Sequence, residues 1–354
     1  MLGYCYPEID KAIIQQLYKG TLFTLPSILE TKLAERLNKL IPCAEQMRFL
    51  KTGSEATSAA VKIARAYTGR EKIIVCGYHG WHDWYTVSTP KNKGIPVRYK
   101  DLVVKAEYNN LESFESHLKK EDVACVILEP YIYDAPKDLF LNKLINMAHK
   151  YGTLVIFDEV VTGFRTLEYS AQKFFKATPD LACFGKAMAN GLPISVVCGK
   201  KEFMKELEGD CFVSSTFGGE LLSIAASLAV LDVLDKYGVV GHIYQMGSQL
   251  KDTYNLYARE LDIDTKCIGY PNRTMFMFPT GDHKGLFWQE CIKEGVLFGY
   301  AQFINYSHAK VHIDDTLDTV RQALKTVKKN WKNPRKAING KPPQEVFRLV
   351  ATRS

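Results

Sequence analysis

The chain has 354 residues, 46% of them hydrophobic and 24% charged, an ordinary globular make-up with core enough for about two domains. Its net charge of +7 is mild; much of the excess falls in Lys325, Lys328, Lys329, Lys332, Arg335 and Lys336, a solvated helix face and tail with no aromatic platform beside it, so no nucleic-acid partner is expected. The nine cysteines are odd in number with no pair at CxxC spacing, which argues against a closed disulfide framework and predicts reduced thiols in a cytoplasmic protein.

No basic region followed by an apolar stretch opens the chain, and no run of about 18 apolar residues occurs, so neither a signal peptide nor a membrane span is expected. Helix-spaced apolar residues predict helices over 8–18 and 28–40, the second carried by Leu29, Leu33, Leu37 and Leu40. From Met47 to about Gly199 short β-rich runs (72–76, 123–128, 153–157, 181–184, 194–198) alternate with helical stretches (55–67, 111–119, 139–150). Near-continuous Val and Ile runs between helices imply an α/β fold: a mainly parallel sheet covered on both faces, with ligands at the carboxyl ends of its strands. Residues 219–237 read as a long apolar helix. Helical stretches at 240–261 and 314–331 with a strand over 274–278 then predict a smaller C-terminal α/β domain. The expected division is 1–45, an N-terminal helical segment; 46–237, a large domain; 238–333, a small domain; and 334–354, a tail with one short helix.

The residues able to carry chemistry gather at strand ends. Lys186 stands in a Gly-Lys pair after the apolar run 181–184, where a partly desolvated amine can form an imine with an aldehyde. Asp158 ends the run 153–157 and can bond a protonated pyridine nitrogen, keeping the ring able to accept electrons. Thr52-Gly53-Ser54-Glu55 leads into an Ala-rich helix, which makes an anion site from backbone N–H groups, hydroxyls and the helix dipole. Tyr78, with His79 and Gly80, follows the run 72–76 and can stack on a flat ring. Singly, each has a plain reading: a surface lysine, a turn aspartate, an N-cap serine, a packed tyrosine. Together they describe a site for pyridoxal 5′-phosphate (PLP). His79 and His82 lack a third ligand, so no metal is expected.

These segments are similar to those of the class III (fold type I) PLP-dependent aminotransferases, and most to the glutamate-1-semialdehyde aminomutase branch. The resemblance is carried, in the family's order, by Met47-Arg-Phe-Leu-Lys-Thr-Gly-Ser-Glu-Ala-Thr57, Ala64-Arg-Ala-Tyr-Thr-Gly-Arg70, Tyr78-His-Gly80, Asp158-Glu-Val-Val-Thr-Gly-Phe-Arg165, the stretch 179–193 and Ser215-Thr-Phe-Gly-Gly-Glu220. It implies a mainly parallel seven-stranded sheet between helices, with a smaller C-terminal domain. It also implies Lys186 as the internal-aldimine lysine, Asp158 as the partner of the pyridine nitrogen, and Gly53 and Ser54 as the phosphate turn. Tyr78 would stack on the ring beside His79, and Glu129 would lie near the cofactor. Thr216 would reach the phosphate of a neighbouring subunit, making a homodimer.

Departures from the family pattern bear on the substrate. Val161 stands where many members place a glutamine facing the cofactor's 3′-oxygen, although the aminomutase branch also has an apolar residue there. Ile304 stands where the aminomutases carry a gating glutamate. Met1-Leu-Gly-Tyr-Cys-Tyr-Pro7 resembles the middle of a family motif, so the family's N-terminal strands and substrate-carboxylate arginine are expected either from another chain or not at all, the substrate then being recognised without that arginine. Arg165, Arg273, Trp81, His82 and Trp84 are further candidates for pocket walls. The activity implied is ping-pong transfer of an amino group between a small-molecule donor and a carbonyl acceptor through a Lys186 aldimine. The alternatives are the aminomutase reaction and a non-catalytic fold-type-I protein.

Overall fold

A run of apolar β-formers such as Val123–Leu128 is stable only in the interior of a sheet covered on both faces, and all six of its residues are buried. In the computed structural model, which describes residues 1–342, this run is β4, in the interior of a seven-stranded sheet. The others are β1 (Gln46–Leu50), β2 (Lys72–Cys76), β3 (Val103–Lys105), β5 (Leu154–Asp158), β6 (Leu181–Phe184) and β7 (Ser195–Gly199), in the order β1-β7-β6-β5-β4-β2-β3. The sequence expectation of a mainly parallel sheet holds. β2 pairs in parallel with β3 and β4, and the pairs β4–β5 and β5–β6 are parallel too. β7 runs against both its neighbours, so β1 returns to the common direction.

The two strands that pattern reading missed are the edges. β1 carries Gln46 and an exposed Arg48, and β3 has three residues; short or polar edge strands resist unwanted pairing and leave little hydrophobic signal. β5 also extends one residue past its apolar run, because Asp158 pairs in register with Cys183 of β6.

Helices cover the sheet. α3 (Gly53–Thr68) opens with a capping box, in which Glu55 N–H donates to Thr52 Oγ1 at 3.2 Å and Thr52 N–H to a Glu55 carboxylate oxygen at 2.7 Å. Its Ala56, Ala59, Ala60 and Ile63 join a core with Ile73, Ile127 and Ile156. α4 (Asp83–Thr86), α5 (Leu111–Leu118), α6 (Phe140–Lys150) and α7 (Ala171–Phe175) connect the strands, α8 (Lys201–Met204) follows β7, and α9 (Leu221–Tyr237) packs against α1 (Pro7–Leu17) and α2 (Ile28–Leu40).

Cys5–Tyr237 form one compact unit, and Met1–Tyr4 join the chain from Gly238 onward in another. In the second unit, backbone N–H groups of Tyr306 and Ser307 hold the Met1 and Leu2 carbonyls, each at 3.0 Å. This unit has α10 (Val239–Glu260), a hairpin of β8 (Lys266–Tyr270) and β9 (Arg273–Met277), α11 (Gly281–Lys293) and α12 (Lys310–Lys329). Tyr254 stacks on Phe276 at 4.3 Å, and Phe287 packs edge-on against both. β8 and α11 escaped the sequence reading because Gly269 interrupts one pattern and Gly281 and Gly285 the other. Asn255 of α10 bonds both backbone groups of Cys267, donating to its carbonyl at 3.0 Å and accepting from its N–H at 2.7 Å. On the other side of the hairpin, Thr274 and Gln302 exchange backbone bonds of 3.1 and 2.8 Å. Of the expected tail, Pro334–Ala337 form a single 3-10 turn, and 343–354 lie outside the described residues.

Glu159, next after β5, is fully buried, and its carboxylate accepts from Ala171 N–H at 2.6 Å and Thr162 Oγ1 at 3.2 Å. Burial pushes its pKa up to about 7 against the pull of those bonds. A carboxyl raised on folding stabilises most below its unfolded value and loses that contribution as pH rises through 7. Between pH 5 and 8 the native state should therefore lose about 2–3 kcal/mol at this group. Chemical denaturation of Glu159→Gln across that range should show a correspondingly flatter profile than the parent; parallel profiles would remove Glu159 as the cause.

Candidate active site

The carboxyl ends of β1, β2, β4, β5 and β6 lie along one edge of the sheet, and the chain leaving each brings a polar group there. β5 contributes Asp158, which is buried. One carboxylate oxygen accepts from Val160 N–H at 3.1 Å, and the other meets His79 Nδ1 at 2.9 Å. These two contacts fix the direction of the carboxylate. His79 Nε2 is buried without a hydrogen-bond partner.

β2 delivers the loop from Gly77 to Trp84, and neighbouring elements hold it at several points. Tyr78 N–H donates to Glu129 Oε1 at 3.1 Å, and Glu129 is itself buried at the end of β4. Tyr78 is half-buried, its ring edge-on to Tyr85 at 5.6 Å. Along α3, Ser54, Thr57 and Ser58 present three hydroxyls to the loop. Trp81 N–H donates to Ser54 Oγ at 3.3 Å, Thr57 Oγ1 donates to the His79 carbonyl at 2.9 Å, and Ser58 Oγ lies 2.6 Å from His82 Nδ1. Trp84 Nε1 can only donate, and it does so to Ser58 Oγ at 2.7 Å, so one serine oxygen ties both the Trp84 and the His82 rings to α3. Sequence reading singled out Ser54 and missed Thr57 and Ser58. Their i, i+3, i+4 spacing on an Ala-rich helix was the available signal.

β1 supplies the turn at Gly53 and Ser54, on the first helical positions of α3. A side chain at Gly53 would come within 2.8 Å of Val160, the residue held by Asp158, so turn and carboxylate are built against each other. Ser195 Oγ, at the start of β7, donates to the Thr52 carbonyl at 2.7 Å and fixes the turn from the other side. β6 ends one residue before Gly185, and Lys186 follows with an exposed side chain and a left-handed backbone at φ 44°. That conformation costs a non-glycine residue about 1–3 kcal/mol. The buried Ala187, Met188 and Ala189 anchor it.

Gly53, Ser54, Tyr78, His79, Glu129 and Asp158 are thus joined by a continuous set of contacts, with Lys186 and Val161 at the ends of the adjoining strands. Val161 is half-buried, and its carbonyl accepts from Arg165 Nη1 at 2.8 Å. Thr216 is not in this group: it is exposed on the turn at 216–219, beside the outer edge of β1. Arg273 and Ile304 belong to the other unit.

Such a site can hold a planar group with a basic nitrogen at Asp158 and an anion at the start of α3, within reach of an amine. Gly80 fits this loop to Ser54: its φ is 105°, and a Cβ would lie 2.4 Å from Ser54 Oγ. Gly94 has a similar φ of 93° with open space around it. Gly80→Ala should therefore destabilise more than Gly94→Ala, by about 1–2 kcal/mol in urea unfolding; equal losses would mean that the loop yields freely.

The family model described as aminotransferase class-III matches residues 1–264. The glutamate-1-semialdehyde 2,1-aminomutase of Methanothrix thermoacetophila is 33% identical over 92% of this chain and 83% of its own length. The 3-aminobutyryl-CoA aminotransferase of Cloacimonas acidaminovorans is also 33% identical, over 93% and 83%. Among solved structures, the PLP internal aldimine form of the FumI protein of Sphingopyxis sp. MTA144 superposes with a TM-score of 0.87 at 26% identity, covering 94% of this chain and 83% of that one. A glutamate-1-semialdehyde-aminomutase from Pseudomonas aeruginosa PAO1 shares the fold at a TM-score of 0.84 and 19% identity, over 92% and 82%.

Proposed function

Because the chain belongs to the class-III aminotransferase family, whose fold type I architecture it has, we propose that it is a PLP-dependent aminotransferase moving an amino group between a small-molecule donor and a carbonyl acceptor. The observation that carries this reading is the pairing of Asp158 with Cys183 in register, which puts the carboxylate and, three residues on, Lys186 at neighbouring strand ends. The donor set fits PLP, with an anion-holding helix start closed tightly at Gly53 and Gly80, a buried carboxylate opposite, and an amine beside it.

When bound, PLP supplies a cationic ring that takes up the electron pair released as a substrate C–H bond breaks. The protein's part follows from its residues. Asp158, steadied by Val160 N–H and His79, keeps the proton on the ring nitrogen. The Gly53 and Ser54 turn holds the phosphate with backbone N–H groups and the α3 dipole, and Tyr78 covers the ring. Lys186 Nζ would hold the cofactor covalently at its aldehyde carbon and, when free, would carry a proton to and from the substrate carbon. Val161 would offer the cofactor an apolar neighbour.

A homodimer completes the site in this reading, with Thr216 contributed across the interface. In support, Thr216 sits at an exposed turn beside Phe217, which is 54% exposed. Tyr18 and Leu25 are 87% and 78% exposed on a segment that also shows Ile14, Phe23 and Ile28 to solvent. All nine cysteines are free and eight of them are buried, which suits a reducing cytoplasm.

The aminomutase reaction is the second reading, favoured by the name of the Methanothrix relative. Against it, Ile304 is a buried apolar residue where the aminomutases place their gating glutamate.

Purified protein mixed with PLP should gain a visible band that fades when the right amino donor is added, and a panel of amines identifies that donor. Lys186→Ala should retain PLP without a covalent link and lose about 10²-fold or more in turnover. A parent protein that ignores PLP would sink the proposal. Appearance of 5-aminolevulinate from glutamate-1-semialdehyde with no second substrate would select the aminomutase.

A further inference from the structure

Lys51 stands one residue ahead of the capping Thr52, with only 14% of its side chain exposed. Its ammonium lies 3.1 Å from Glu220 Oε2 and 3.4 Å from Ser223 Oγ, and the Glu220 side chain is 17% exposed. Glu220 has a second task. Its Oε1 accepts from Leu222 N–H at 2.6 Å, and its Oε2 accepts from Ser223 N–H at 3.2 Å and Ser223 Oγ at 2.6 Å, which caps the start of α9. Burial raises its pKa, but the bonds from Ser223, Leu222 and Lys51 outweigh burial and hold the carboxyl below its ordinary range.

The chain just before Glu220 is tightly wound. Gly218 N–H donates to the Ser215 carbonyl and Glu220 N–H to the Phe217 carbonyl, both at 3.1 Å. Gly218 also lies so close to β1 that a Cβ there would be 2.6 Å from the Phe49 carbonyl oxygen. Thr216 is thus carried on a turn fixed at one end by Glu220, and Glu220 is fixed by the residue just before the phosphate turn.

We propose that Lys51 and Glu220 are a positioning pair for cofactor retention. They hold the turn at 52–54 and the turn at 215–219 as one stiff piece, so that PLP phosphate meets donors already in place. This rests on the reading in which the Gly53 and Ser54 turn and the partner's Thr216 hold that phosphate. Neither Lys51 nor Glu220 touches the cofactor in this role. A buried charge-assisted bond suits it, because it fixes direction as well as distance and is little screened by salt. The gain is preorganisation: the ordering is done on folding and not on binding.

Lys51→Met separates this role from plain structural support, since it leaves Glu220 its three donors from α9. The test compares the parent, Lys51→Met, Lys51→Arg and Thr216→Ala as full-length apo proteins, measuring PLP affinity by fluorescence titration and melting without cofactor. Lys51→Met should lose on the order of tenfold in PLP affinity, the worth of one charge-assisted hydrogen bond, while its apo form melts close to the parent. Lys51→Arg should recover most of the affinity, and Thr216→Ala should weaken binding independently. Unchanged affinity in Lys51→Met, or an apo form that melts well below the parent, would overturn the pair's role while Thr216→Ala still reports the phosphate site. A parent that takes up no PLP, or a Thr216→Ala protein that binds as the parent does, would overturn the underlying reading and the pair's role with it.

Discussion

Because β7 runs against both β6 and β1, β1 enters the sheet in the same direction as the strands that carry Asp158 and Lys186. Its carboxyl end therefore brings the Thr52–Ser54 turn to the edge where the carboxylate already is. A parallel placement of β7 would leave its own end there and require a different route for the chain into α3. Everything else at the site is local adjustment around this one reversal. Val160 fits against Gly53, Ser195 holds the Thr52 carbonyl, and the hydroxyls of α3 hold the loop after β2.

Carboxylates at the two ends of the sheet show how burial is used differently. Asp180, ahead of β6, is surrounded by His149 at 2.9 Å, Lys200 at 3.2 Å and Val155 N–H at 2.7 Å, and serves the fold. Despite burial, which acts to raise its pKa, these partners hold its carboxyl below the ordinary value. Asp158 has fewer partners, accepting from one backbone N–H and meeting one imidazole. Glu159, immediately after it, faces inward and caps α7. Two adjacent acids thus differ in role through the direction in which the strand end presents them.

Much of this was legible because buried parallel strands leave a strong sequence signal. The apolar runs marked β2, β4, β5, β6 and β7, and ligand sites follow strand ends in such sheets, so Asp158, Gly53, Ser54 and Tyr78 were legible as candidates. Edge strands and the glycine-interrupted α11 were illegible, since neither maintains a periodic pattern. Thr57 and Ser58 were hidden for another reason: a hydroxyl on a helix looks solvent-facing until the element that covers it is known. Lys51 and Glu220 are 169 residues apart, and nothing local in either segment announces the other.

The hairpin of β8 and β9 carries a consequence of a different kind. A two-stranded sheet has two open edges, and an extended peptide could add to either by backbone pairing. Here Asn255 occupies both backbone groups of Cys267 on one edge, and Gln302 engages both of Thr274 on the other. A foreign strand would have to break two bonds on either side before making its first. Crowded or newly synthesised copies of this unit are thereby protected from fusing into a shared, growing sheet, and encounters between them are left to side-chain surfaces, where shape and charge discriminate.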